Sequence, residues 1–95
     1  MEIPKIPLIP NPKTDEAKNA IGFKWNDEAG TRHQLGGKPE FIQEEEWPIC
    51  SCGNKMTFYG QLDSIGDEFD LADCGIIYVF VCFNCFQTKS VLQGH

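Results

Sequence analysis

The sequence predicts a mainly β protein, a small antiparallel β domain with a zinc-ribbon-like four-cysteine site. Three observations carry that expectation. Ile76-Ile77-Tyr78-Val79-Phe80-Val81-Cys82 is apolar on both faces and rich in β-branched residues, as an interior strand requires. The other apolar segments are short and bounded by Gly, Pro and Asn turns, with no heptad or βαβ alternation. Cys50 and Cys52 form one close pair and Cys82 and Cys85 another, with 29 residues between the pairs.

The elements follow in order. Pro4, Pro7, Pro10 and Pro12 punctuate residues 1–13. Proline fixes φ and removes a donor, so this stretch is an extended arm, with Ile3, Ile6, Leu8 and Ile9 suited to lying along the domain. Residues 14–95 make the single β domain. Thr14 is a candidate N-cap for a short helical turn over residues 14–20, which Asp15 and Glu16 would favour. Residues 21–25 alternate as a strand, 26–30 form a turn, and 31–35 return. Gly36-Gly37 permits positive φ and breaks the strand. Residues 39–43 are a short extended piece, and Glu44-Glu45-Glu46 a solvated acidic turn. Residues 56–63 read as a strand with Met56, Phe58 and Leu62 on one face. Residues 64–73 are an acidic loop, and 86–92 a returning strand.

Charge divides the chain. Net charge is −6 overall, but residues 1–38 carry +1 and residues 39–95 carry −7. An acidic half bearing the cysteines opposes phosphate backbones as partners and suits a basic protein surface. Asp67/Glu68 and Asp70/Asp73 lie in a polar loop, where nothing splits their pKa values as acid–base chemistry requires. No phosphate-binding glycine loop and no nucleophile elbow occurs. The sequence therefore nominates no catalytic residue. With no long apolar run and no secretory leader pattern at Met1–Lys5, the expected compartment is the cytoplasm, without membrane insertion.

Reduced thiols favour metal over disulfides there, and a total of five cysteines does not close into bridges. Zinc takes thiolates at tetrahedral corners. Cys82 and Cys85 have the usual two-residue gap, while Cys50 and Cys52 have one, with Gly53 free to curl the chain behind a metal. Each pair would form a hairpin tip, and one structural Zn2+ would join the tips. His33 or Cys74 in place of Cys50 is the alternative donor set. Cys74 lies eight residues before Cys82, more than ~20 Å along a strand.

Leu35-Gly36-Gly37-Lys38-Pro39-Glu40-Phe41 resembles the Leu-Gly-Gly-x-Pro-x-aromatic signature of the YwqG-like bacterial proteins and of the eukaryotic programmed cell death protein 2 family. The similar order continues through Cys50 and Cys52, Phe58-Tyr59-Gly60-Gln61-Leu62, and Tyr78-Val79-Phe80-Val81-Cys82, covering residues 35–85. The resemblance implies an antiparallel β scaffold, zinc at Cys50, Cys52, Cys82 and Cys85, and structural or binding roles for Gly36, Gly37 and Gln61. The eukaryotic family looks like chaperones of a basic ribosomal protein, and some YwqG-like genes lie beside toxin genes. This chain departs in its shortness, in lacking a second half, and in its one-residue first gap.

Two functions follow as expectations. The first is a non-enzymatic module that docks a basic partner protein, of the toxin-immunity or client-chaperone type. Its acidic contact residues would be Glu44, Glu45, Glu46, Asp63, Asp67, Glu68 and Asp70, with Trp47, Tyr59 and Phe83 as aromatic anchors. The alternative is a nucleic-acid-binding zinc ribbon, using Lys5, Lys13, Lys18, Lys24, Arg32 and Lys38 of the less acidic half.

Overall fold

A computed structural model describes residues 2–8, 15–16, 32–64, 71 and 74–94. Five strands form one antiparallel sheet in sequence order: β1 (Ile6–Pro7), β2 (Gln34–Leu35), β3 (Thr57–Asp63), β4 (Ile76–Val81) and β5 (Thr88–Gln93). The strands expected at 56–63, 76–82 and 86–92 are all present within a residue or two. Asp15 and Glu16 are helical, and the rest of the expected turn at 14–20 lies outside the described residues. So do the strand and turn expected at 21–30, and most of the acidic loop, with Asp67, Glu68 and Asp70.

Part of the proline-rich arm is a sheet edge. Ile6 pairs with Leu35 and Pro7 with Gln34, and the Leu8 N–H donates to the His33 carbonyl at 3.1 Å. Inward N–H groups alternate along a strand, so the N–H that Pro7 lacks belongs to the outer side, where edge prolines are tolerated. Gly36 and Gly37 hold the arm from beneath, with φ of 58° and 71°. A Cβ at Gly36 would run into the Pro4 carbonyl and the Ile3 side chain, and the Gly37 N–H donates to the Ile3 carbonyl at 2.6 Å.

β4 is the core strand. Ile76, Tyr78 and Phe80 are fully buried, and Ile77, Val79 and Val81 on the opposite face are half-buried. β3 departs from simple alternation. Phe58 pairs with Phe80, but Gly60, not Tyr59, pairs with Val79. Tyr59 is thus an extra residue, and a one-residue slip exchanges the faces of everything beyond it. Leu62, expected beside Met56 and Phe58, is instead on the opposite face and 51% exposed. Gln61 and Asp63 take the inward positions, opposite Tyr78 and Ile76.

These buried polar side chains bind an irregular segment, residues 36–46, across the sheet. Gln34, Gln61 and Tyr78 are mutually paired on β2, β3 and β4. Gln34 Nε2 donates to the carbonyls of Gly36 and Lys38, both at 3.0 Å. Gln61 Oε1 accepts from the Glu40 N–H at 3.0 Å, while its Nε2 donates to the Arg32 carbonyl at 2.8 Å. The Tyr78 hydroxyl donates to the Glu40 carbonyl at 2.7 Å and accepts from the Ile42 N–H at 3.2 Å. Burial raises its pKa, so the donor proton is retained. Gln93, from β5, accepts from the Gln43 N–H at 3.0 Å and donates to the Glu44 carbonyl at 2.6 Å. The segment has no strand partner of its own, and these side chains satisfy its backbone instead. Held this way, it lays Phe41 against Tyr78 and Trp47 against Phe80, with ring centroids 4.9 Å and 5.4 Å apart.

Replacing Gln61 by Ala should destabilise the protein by about 1–3 kcal/mol, because two part-buried backbone groups lose their partner. Urea denaturation would measure the loss, and hydrogen exchange should quicken at the Glu40 amide while the β4–β5 amides keep their relative order of protection.

Candidate metal centre

The first cysteine pair sits in a tight hairpin closed by a bridge between Ile49 and Lys55. The Cys50 N–H donates to the Asn54 carbonyl, and the Gly53 N–H returns to the Cys50 carbonyl, both at 2.8 Å. Gly53 has φ of 94°, in the region where a side chain is strained. The second pair caps the β4–β5 hairpin. There the Cys82 N–H donates to the Gln87 carbonyl at 2.9 Å, and the Phe86 N–H returns to the Cys82 carbonyl at 2.7 Å. Phe86 occupies the place that Gly53 takes in the first hairpin, with φ of 60°. A non-glycine residue in that region costs about 1–2 kcal/mol.

Sheet register brings the two tips together. Thr57 pairs with Val81, and Val81 with Thr88, so both tips project from one end of the sheet. Cys50 and Cys85 sulfurs are 3.1 Å apart, Cys52 and Cys82 sulfurs 3.6 Å, and all four lie within 4.8 Å of one another. Four sulfurs at 2.3 Å from one tetrahedral ion would be ~3.8 Å apart, so the four cysteines could hold a metal ion. Cys50 and Cys82 are buried, whereas Cys52 and Cys85 face solvent.

The alternative donors lie elsewhere. His33 Nδ1 accepts from the Asp63 N–H at 3.0 Å, at the far end of β3, six residues or ~20 Å from the cysteine end. Cys74 lies outside the cluster, at positive φ before β4, and its carbonyl accepts from Arg32.

Side chains that spacing alone does not single out complete the centre. Gln87 Oε1 accepts from Cys50 Sγ at 3.0 Å and from Ser51 Oγ at 2.9 Å, which ties the second hairpin to the first. The amides of Asn54 and Asn84 point N–H groups at Cys52 Sγ from 3.5 Å and 3.7 Å. Asn84 lies inside the second cysteine pair and Asn54 just beyond the first, where polar amides next to thiols are the available sequence signal. In the metal-free chain, backbone hydrogen bonding at Asn54, with help from Cys50 and Asn84, lowers the Cys52 pKa to about 6. The shared hydrogen bond with Cys50 raises Cys85 to about 12.

The acidic residues expected to form one contact face separate. Glu44, Glu45 and Glu46 are exposed. Asp63 is not part of that face. Its carboxylate is fully buried and held by Arg32, with Nη2 at 2.6 Å from one oxygen and Nε at 3.0 Å from the other. The slip at Tyr59 turned it inward. Trp47 is engaged in packing: it lies on Phe80, donates its indole N–H to the Met56 carbonyl at 2.6 Å, and carries the Lys55 ammonium 4.4 Å above its ring. Tyr59 and Phe83 are exposed. Among the described residues, no helix is long and apolar enough to cross a membrane.

A 64-residue stretch, 66% of the chain, is 34% identical to the uncharacterized protein YpfL of Salmonella typhimurium strain LT2. The chain spans about 15% of the length of that relative. No family model and no solved structure matches the chain.

Two outcomes test the centre. Changing Cys50 or Cys82 to Ser should lower metal content from one ion per chain to a small fraction, and the loss should lower the melting temperature by several degrees, as calorimetry beside elemental analysis would show. In the stripped, reduced chain, pH 7 lies above the Cys52 pKa and well below that of Cys85, so iodoacetamide should label Cys52 before the similarly exposed Cys85, read by peptide mass spectrometry.

Proposed function

We propose that the chain is a non-enzymatic protein-binding module, stabilised by one structural Zn2+, that docks a basic partner protein in the cytoplasm as a toxin-immunity protein or client chaperone would. The observation that carries the reading is the closed donor set. Four sulfurs mutually within 4.8 Å can fill every tetrahedral position from the protein, which leaves no corner for a substrate or an activated water. Thiolate donors select zinc over the hard cations that prefer oxygen. A domain this small gains much from such a cross-link between hairpins that share a modest core.

Support for a basic partner comes from charge. Glu44, Glu45 and Glu46 present a contiguous exposed acidic run on a chain of net −6. That sign attracts cationic surfaces and repels nucleic acid. The resemblance to the YwqG-like and programmed cell death protein 2 proteins points the same way, since the latter look like chaperones of a basic client.

Native mass spectrometry of the protein purified from its own cells without chelator should give one zinc per chain and a bound basic protein. Association with that protein should slow about tenfold between roughly 50 and 500 mM salt. An absence of metal would remove the structural-zinc reading. Binding indifferent to salt would remove the electrostatic one.

A further inference from the structure

The metal end of the molecule carries an apolar surface that packing does not account for. Phe86 is 71% exposed and Phe83 38%, with their rings edge to face at a 6.4 Å centroid distance. Ile49, 70% exposed, stands on the facing hairpin tip. The sulfur contacts hold these tips together, so all three residues belong to one end of the protein.

Phe86 is the informative residue. Its backbone is in the left-handed region at φ 60°, which disfavours a large side chain. The matching turn of the first hairpin uses Gly53, whose φ is 94°. A glycine or asparagine would serve the same turn without strain, and the ring adds little packing to its own domain. Strained positions of this kind concentrate where a side chain is displayed for use. The surroundings specify what the ring would meet. Cys52 and Cys85 are exposed residues of the same two tips, and four thiolates around one divalent ion would leave a net negative charge there.

We propose that the metal tip is the contact surface for the partner, and that Phe86, with Phe83, receives an aliphatic or aromatic side chain flanked by arginine or lysine. The flanking cations would stack on the rings or hydrogen-bond to the exposed sulfurs. This deepens the basic-partner reading and rests on it. The acidic run at Glu44–Glu46 then steers approach, while the tip holds the complex.

The test uses the zinc-loaded full chain and synthetic 12-residue peptides. One set carries a single Leu or Phe flanked by arginines, and a matched set has Ala at that position. The first set should shift the amide NMR signals of residues 49–52 and 83–86 and bind about tenfold more tightly than the Ala set. Phe86→Gly and Phe86→Asn should each retain one zinc and at least wild-type thermal stability, yet bind about tenfold more weakly through faster dissociation. A triple Glu44→Gln, Glu45→Gln, Glu46→Gln variant should slow association and leave dissociation alone. Shifts confined to residues 44–46 and indifferent to the Leu or Phe would overturn the tip as the surface while sparing the basic-partner reading. No binding of any cationic peptide would overturn both. Loss of zinc or stability in both Phe86 variants would show the ring to be structural, and would overturn the proposal.

Discussion

The extra residue that β3 carries at Tyr59 fixes the facing of every side chain after it. Beyond that point, Gln61 and Asp63 turn inward and Leu62 outward. Gln61 then stands beside Gln34 and Tyr78 in one polar row, and this row supplies hydrogen bonds to the backbone of an irregular segment. Without the slip, Leu62 would face that segment and could satisfy none of its groups. The segment carries Phe41 and Trp47 over the aromatic residues of β4, then runs through Pro48 into the first cysteine hairpin. The placing of Cys50 therefore depends, through several contacts, on one additional residue in a neighbouring strand.

Two kinds of cross-connection complement one another in this chain. At the sheet's middle, buried amides and a hydroxyl join strands to loop through hydrogen bonds, which is what makes buried polar groups tolerable. Near its far end the Asp63–Arg32 pair does the same with charge, and Arg32 extends to the Cys74 carbonyl. At the other end the sulfurs gather, with Gln87 bridging the two hairpins. The cysteine end is thus tied together by contacts between the two hairpins as well as by its sulfurs.

Much of the sheet was legible from residues alone because its signals are local. The β-branched run of β4 and the two cysteine pairs declare themselves within a few positions. The slip at Tyr59 does not, since Tyr-Gly inside a strand fits either alternation, and the choice depends on what lies across β4. The inward Gln61 is hidden for the same reason: a polar residue in a strand reads as solvent-facing unless its partner, here the irregular backbone at Glu40, is known. Asp63 looks like part of the acidic surface on charge alone, and only its burial against Arg32 removes it. The cysteine set was readable because zinc chemistry restricts ligand type and spacing far more tightly than packing restricts side-chain choice.

The two margins of the sheet are unlike each other. On one side runs β1, two residues long, with Pro7 where the outermost donor would be. On the other runs β5, six residues that form a full ladder with β4. Growth by strand addition needs two receptive margins, one to accept and one to offer. Pro7 leaves β1 without one of the outward donors that such growth would use. The arm thereby blunts one margin of the sheet against edge-to-edge pairing.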